Sequence, residues 1–125
     1  MNIARNFIVI GSIYLIVGIT LGMYMGGAGD HTLAPLHAHI NLLGFTLMTV
    51  FGVLYRIFPA MAENTLAKVH FWGHQIGGII LVGGLYVLLT NPEAESSMAP
   101  VMIISELLVF LSVLAYAWNA YKSVD

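Results

Sequence analysis

Four apolar runs, each long enough to cross a lipid bilayer, constrain this chain more than any other feature. They are predicted to be helices over residues 6–26, 35–58, 66–90 and 98–121. A spanning helix needs about 20 mostly apolar residues, and in hydrocarbon a helix satisfies all of its own backbone polar groups. The loops between the runs are short, so neighbouring helices are predicted to be antiparallel. The predicted fold is therefore all-α: one integral membrane four-helix unit with up-down topology, in a single transmembrane domain over residues 1–125.

The composition agrees with a membrane protein and excludes several other classes. The 125 residues are 59% hydrophobic and only 8% charged, whereas soluble domains carry about 25% charged residues. The net charge of −2 and the absence of a basic stripe argue against binding of nucleic acid. Because the sequence has no cysteine, disulfides, iron–sulfur clusters and thiolate-bound metals are excluded.

Local signals predict where the helices begin and end. Pro59 disfavours helix at the residue before it and ends the second run. Asn64 or Thr65 is the predicted N-cap of the third helix, and Ser96 or Ser97 that of the fourth.

The first run carries a repeat of small residues. Gly18, Gly22 and Gly26 recur every fourth residue, a spacing that lets two helix backbones approach closely. We expect this face to pack within the chain rather than against another subunit. A cleaved signal peptide is the alternative for this run, and the single positive charge ahead of it, Arg5, argues against it.

The positive charges predict an orientation. Four spans place all Lys and Arg residues on one side of the membrane, and these are Arg5, Arg56, Lys68 and Lys122. The opposite loops carry Asp30, Glu93 and Glu95 and no positive residue. The positive-inside rule then predicts a prokaryotic inner membrane protein with both termini in the cytoplasm. The aromatic residues expected at the inner interface are Tyr55, Trp72, Tyr116, Trp118 and Tyr121, and those at the outer interface are Tyr24 and Tyr86.

Two histidines, His37 and His39, lie near the outer end of the second run. A metal-binding or ionisable side chain in an apolar span is costly and is a functional candidate. At about 100° per helical residue, the two side chains diverge by about 200° and cannot share one metal ion. Either one of them works alone or each serves a different site, and Asn41 and Gly44 share the face of His37. The alternative is that both histidines form hydrogen bonds at the membrane interface.

The segment His37-Ala38-His39, opening the second helix of a four-helix unit, resembles the His-x-His motif of subunit I of the haem–copper oxidase superfamily. This superfamily includes the cytochrome oxidases and the nitric oxide reductases. Its catalytic subunit has twelve spans in three four-helix arcs, and the two histidines of the motif bind haems in neighbouring pores. The resemblance covers one arc at the level of helix order, and residues 37–44 at the level of the motif. It implies that His37 and His39 bind haem iron, with Asn41 and Gly44 near the haem.

The resemblance also implies an assembly and a chemistry. Three copies of one arc would form a homotrimer, with haem b held between His37 of one chain and His39 of its neighbour. A haem with two histidine ligands has no open position, which suits electron transfer, with donor and acceptor unknown. The adjacent His-His pair of the family's copper centre has no counterpart, and neither has its His-xxx-Tyr, so we do not expect that catalysis. The alternatives are an enzyme that reduces or senses a small gas ligand, and a structural membrane subunit or metal carrier without haem.

A second histidine pair, His70 and His74, lies in the third run. Their spacing of four puts them on one helical face, where a pair can chelate a metal ion, copper or another. They are predicted to lie deeper than His39, so one haem iron cannot bind both pairs. A haem contact or a proton relay with Glu63 is also possible, and the alternative is a polar cluster with Trp72 and Gln75 at the inner interface.

Four further side chains are weaker candidates. Glu106 in the fourth run is predicted to be buried, either accepting the second ring N–H of a haem-ligating histidine or forming part of a proton path. The alternative for Glu106 is a protonated side chain bonded to a neighbouring helix. Met23 and Met25 are expected to fill the core rather than to bind copper(I). His31 is the only candidate cation in the outer loops for haem propionates.

Overall fold

The computed structural model describes residues 1–124, which are all-helical and contain no strand. The elements are α1 (Ile3–Ala28), α2 (Ala34–His39), a π-helix (Ile40–Thr46), α3 (Leu47–Ile57), α4 (Pro59–Ala62), α5 (Thr65–Thr90), a 3-10 turn (Pro92–Ala94) and α6 (Glu95–Ser123). Four continuous helical stretches are long and apolar enough to cross a membrane: Ile3–Ala28, Ala34–Ile57, Thr65–Thr90 and Pro92–Ser123. Each of the four predicted runs lies within one of these stretches or one residue beyond it.

The helix ends follow local chemistry in most places. Asn64 caps α5, because its side-chain oxygen accepts the N–H of Ala67 at 3.1 Å. The second stretch ends two residues before Pro59, as predicted. The expected serine cap of the fourth helix is wrong, because Ser96 and Ser97 already lie inside α6, which follows directly on the 3-10 turn.

Small residues bring α5 and α6 together along their length. A Cβ atom at Gly73 would lie 2.8 Å from Cβ of Ser112, and one at Gly77 would lie 2.9 Å from Cβ of Leu108. Real Cβ atoms do not approach so closely, so these two glycines set the distance between the helices.

The buried core lies where α1, α3, α4 and α5 meet. Its residues are Ile3, Ala4, Phe7, Met48, Phe51, Tyr55, Met61, Ala67 and Phe71. Most large apolar side chains elsewhere on the long helices face outward, and in α6 only 11% of the most apolar window is buried. Such apolar outer surfaces are compatible with a lipid environment.

Two of the aromatics predicted at the interface face the interior of the chain. Tyr55 is only 1% exposed and belongs to the core, and Tyr116 packs against that core. The belt prediction used only the depth of each residue along its helix, whereas the helical face decides whether a ring reaches the surface. Trp72 and Trp118 are exposed.

Candidate functional site

His39 is exposed on the surface of the chain, at the C-terminal end of α2. Its Nδ1–H donates to the backbone carbonyl of Pro35, one turn earlier, at 2.8 Å. A carbonyl can only accept, so Nδ1 carries the proton and the neutral ring keeps its lone pair on Nε2. Metal-ligating histidines show this arrangement, in which a hydrogen bond on one ring nitrogen fixes the orientation and tautomer of the other.

His37 is half-buried and faces a different neighbour. Its Nε2 accepts a hydrogen bond from Nδ2 of Asn41 at 3.1 Å. Its Nδ1 is buried and has no hydrogen-bond partner within residues 1–124. His37 therefore presents no free ring nitrogen to the exterior, and the two histidines of the motif lie in unlike surroundings.

The face of His37 packs against α1 of the same chain. A Cβ atom at Gly22 would lie 2.9 Å from Cε1 of His37, and a Cβ at Gly18 would overlap the side chain of Asn41. Gly44 is buried under the ring of Tyr14, which leaves no room for a larger residue there. The helical spacing correctly predicted that His37, Asn41 and Gly44 share one face of the second stretch. The glycine repeat of α1 packs within the chain at Gly18 and Gly22, as expected, while Gly26 has no atom near its Cβ position.

A π-helix begins directly after His39 and extends over Ile40–Thr46. Wide turns of this kind are rare, occur mostly as single-turn bulges, and are frequent at functional sites. The insertion changes the rotation of the helix between the histidine motif and α3. No residue in this segment signals a π-helix, so sequence reasoning did not find it.

The second histidine pair lies at the centre of the fold. His70 and His74 are both fully buried, and their ring centroids are 5.9 Å apart. Nδ1 of His70 shares a hydrogen bond of 2.9 Å with the hydroxyl of Tyr55. Nε2–H of His74 donates to the carbonyl of Leu43, inside the π-helix, at 3.0 Å. Each imidazole is thus held by one contact to the second helical stretch.

The other nitrogen of each buried imidazole is unused. Nε2 of His70 and Nδ1 of His74 have no hydrogen-bond partner in the described part of the chain. A buried polar group without a partner costs about 1–3 kcal/mol. Two such nitrogens one turn apart mark a position where a ligand would recover part of that cost.

Aromatic rings from three helices surround this pair. Phe7 of α1, Phe51 of α3 and Tyr116 of α6 have ring centroids 5.0, 4.4 and 5.0 Å from that of His70. Phe7 and Phe51 also contact His74, at 5.9 and 5.6 Å. The predicted polar cluster with Trp72 is wrong, because Trp72 is exposed and His70 and His74 lie in an aromatic cage.

Other predicted candidates lie apart from both pairs. Glu106 is exposed on α6, and within residues 1–124 no hydrogen bond joins it to a histidine. Glu63 lines an open cavity of about 390 Å³ beside Tyr55 and Arg56. Met25 is buried, while Met23 is 73% exposed. Across the described residues there is no group of three or more His, Cys, Asp or Glu side chains that could hold a metal ion.

Two partners of the second pair were missed by sequence reasoning. The sequence predicts Tyr55 at the membrane interface rather than beside a histidine, and the carbonyl of Leu43 is 31 residues away from His74. The pairing depends on how the helices pack, and no local signal encodes it. The spacing of four between His70 and His74 was the only available hint.

The loop before α2 is ordered by Asp30. Its carboxylate accepts the hydroxyl of Thr32 at 2.6 Å and the backbone N–H of Thr32 at 2.9 Å. These two hydrogen bonds hold the pKa of Asp30 below its usual range, with a smaller contribution from nearby His31.

Comparison of the chain with models of known protein families, with curated proteins and with solved structures finds no match.

Proposed function

We propose that this chain is a membrane-embedded b-type cytochrome that binds haem through His39 at a contact between subunits and transfers electrons. The observation that carries the proposal is the state of His39, whose ring is exposed and keeps a free Nε2 lone pair while Nδ1–H is held by Pro35. A haem iron takes its protein ligand from such a nitrogen.

The surroundings of His39 suit a flat apolar cofactor. Leu42 and Thr46, three and seven residues further on, are exposed, and Leu42 is 61% exposed. An exposed leucine near the histidine suits contact with either lipid or the edge of a macrocycle. The π-helix next to His39 is a further feature typical of functional sites.

The second axial ligand is proposed to come from another copy. His37 of the same chain faces α1, so it cannot bind the iron held by its own His39. In a homotrimer, His37 of a neighbouring chain would supply the ligand after its contact with Asn41 breaks. Such a six-coordinate haem supplies one-electron transfer and has no open position.

The orientation also belongs to this proposal. Arg5 and Arg56 line one cavity, and Lys122 lines another beside Asn64, so these positive residues gather near the first and last residues of the chain. Asp30 and Thr90 line a cavity together, and Glu93 lies three residues beyond Thr90. By the positive-inside rule, this distribution supports an inner membrane protein with cytoplasmic termini.

An optical spectrum of the purified protein in detergent tests the proposal. We expect a Soret band, sharp α-bands on reduction, no shift with carbon monoxide, and one haem per chain. His37→Ala and His39→Ala should each convert the haem to a five-coordinate form or lose it, whereas His31→Ala, which removes no iron ligand, should keep the six-coordinate spectrum. Absence of a Soret band after reconstitution with haem would overturn the proposal. Light scattering that gives one chain per particle would overturn the homotrimer.

A specific observation favours a second candidate. If the bond between Asn41 and His37 persists in the assembly, a haem on His39 keeps one open axial position. The protein would then sense or reduce a small gas ligand. A carbon monoxide shift in the reduced spectrum that His37→Ala does not alter distinguishes this function from electron transfer.

A further inference from the structure

The buried pair His70 and His74 forms a site that does not depend on haem. Both side chains are fully buried, lie one turn apart on α5, and have ring centroids 5.9 Å apart. Each uses one ring nitrogen in a contact to the second helical stretch and leaves the other without a partner among the described residues. Two orphaned imidazole nitrogens on rings one turn apart in the same helix call for a partner such as a bound ion.

The protonation pattern allows both free nitrogens to carry a lone pair at the same time. His74 donates from Nε2 to the carbonyl of Leu43, so its neutral ring has the lone pair on Nδ1. His70 can donate from Nδ1 to the oxygen of Tyr55, which leaves the lone pair on Nε2. Each imidazole would then have its N–H held by an outer partner and its other nitrogen free, as in metal-ligating histidines.

The spacing of the rings fits a single bound ion. With metal–nitrogen bonds of about 2.0 Å, two imidazoles on one ion place their ring centroids about 5 Å apart at a tetrahedral angle and about 6.3 Å apart when the two bonds are collinear. The observed 5.9 Å lies in that range. Direct hydrogen bonding between the two rings is not present, since both nitrogens lack a partner within residues 1–124.

The uncharged side chains around His70 and His74 determine which kind of metal ion the pair could bind. The rings around the pair come from Phe7, Phe51, Tyr55 and Tyr116, which carry no charge at neutral pH. No carboxylate completes a set of three ligands in the described residues. A divalent ion would therefore be buried with its charge uncompensated and its coordination unfilled.

A monovalent soft ion with a low coordination number buries half the charge of a divalent ion and needs only two ligands. Imidazole suits copper, and thioethers select copper(I). Met48 is fully buried in the same core, with its sulfur 3.6 Å from the amide of Gln75, the residue after His74. We propose that His70 and His74 bind one copper(I) ion. This pair on one helix is not the copper ligand set of the haem–copper oxidases, which the sequence lacks.

Copper(I) titration of the haem-free protein tests this site. The protein in detergent micelles is titrated under argon with copper(I), kept reduced by ascorbate, against a chromophoric copper(I) chelator. We expect one tightly bound copper(I) per chain and at least a tenfold loss of affinity in His70→Gln and in His74→Gln. The matched controls His31→Gln and His39→Gln should bind copper(I) as the wild type does, and zinc(II) should not displace it.

X-ray absorption at the copper edge of the wild type provides a second readout that needs no variant. Two imidazoles among the nearest neighbours support the site, and their absence overturns it. No copper(I) bound by the wild type, or binding equal to the wild type in a variant that carries both His70→Gln and His74→Gln, also overturns it. Because His39→Gln should lose haem but keep copper, failure of this site and failure of the haem proposal give different results.

Discussion

The imidazole of His74 donates a hydrogen bond of 3.0 Å to the carbonyl of Leu43. Leu43 lies inside the π-helix that begins directly after His39. This bond therefore joins the buried histidine pair of α5 to the helical stretch that also carries the exposed His39. The second ring nitrogen of His74 has no partner in the described chain. One side chain thus both supports the irregular segment and offers a free ligand atom.

Removing this contact should loosen the π-helix. His74→Ala loses the donor to Leu43 and leaves a cavity in the aromatic cage, which together should lower the free energy of unfolding by about 2–5 kcal/mol. Hydrogen exchange in detergent should become faster in residues 40–46 than in α6. The exposed His31→Ala is the matched control and should change neither quantity. Unaltered exchange in residues 40–46 of His74→Ala would contradict this role.

The hydroxyl of Tyr55 should matter more than that of Tyr116. Tyr55→Phe keeps the ring packed on Phe7 but leaves Nδ1 of His70 buried without a partner, a loss of about 1–3 kcal/mol in unfolding free energy. Tyr116→Phe changes a ring of the same cage whose hydroxyl makes no hydrogen bond within residues 1–124, and should cost less than about 0.5 kcal/mol. Denaturant unfolding followed by circular dichroism measures both. Equal losses in the two variants would contradict the pairing of Tyr55 with His70.

Two glycines of α1 offer a direct comparison. In Gly22→Ala the new Cβ would lie 2.9 Å from Cε1 of His37, so the ring must move and packing should lose about 1–3 kcal/mol. In Gly26→Ala nothing lies within 4 Å of the new atom, and the helix should gain up to about 1 kcal/mol. Unfolding free energies and the NMR signals of the His37 ring measure the difference. A His37 signal that moves equally in both variants would show that Gly22 does not contact His37.

The loop that precedes α2 should respond to acid. The pKa of Asp30 is lower in the folded chain than in the unfolded chain, because Thr32 donates two hydrogen bonds to the carboxylate. A lowered pKa means that the stabilising contribution is complete above the unfolded value of about 4 and is lost as the pH falls through the folded value. The amide NMR signal of Thr32 should follow this titration, and Asp30→Asn should abolish it. A midpoint at or above the usual aspartate value would contradict the two hydrogen bonds.

The sequence was sufficient for the features that depend on local rules. Apolar run length predicted the four long helices, Asn64 and Pro59 marked helix ends, and a spacing of four placed His70 and His74 on one face. What it could not provide depends on packing between distant segments. The position of Tyr55 along its helix predicts the membrane interface, but its side chain lies on the face of the helix that packs into the core. No residue in the range 40–46 indicates that this segment forms a π-helix.

The divergence of His37 and His39 was predictable, but their environments were not. A rotation of about 200° separates any two helical residues at this spacing. Which of them meets α1 depends on the positions of Gly18 and Gly22 in a different helix. The structure therefore gives the two histidines different environments: Nδ1 of His39 is bonded to the carbonyl of Pro35, while Nε2 of His37 is bonded to Asn41.

The most direct test compares the haem content of His39→Ala with that of His31→Ala. Each variant is expressed with haem supplied and purified in detergent, and its haem content is normalised to the amount of protein. The exposed His31 in the loop controls for nonspecific binding of haem by surface histidines. We predict that His31→Ala retains the haem of the wild type, while His39→Ala either retains only background haem or binds it solely in a five-coordinate form. Wild-type haem content with an unchanged six-coordinate spectrum in His39→Ala would contradict the role of His39 as a haem ligand.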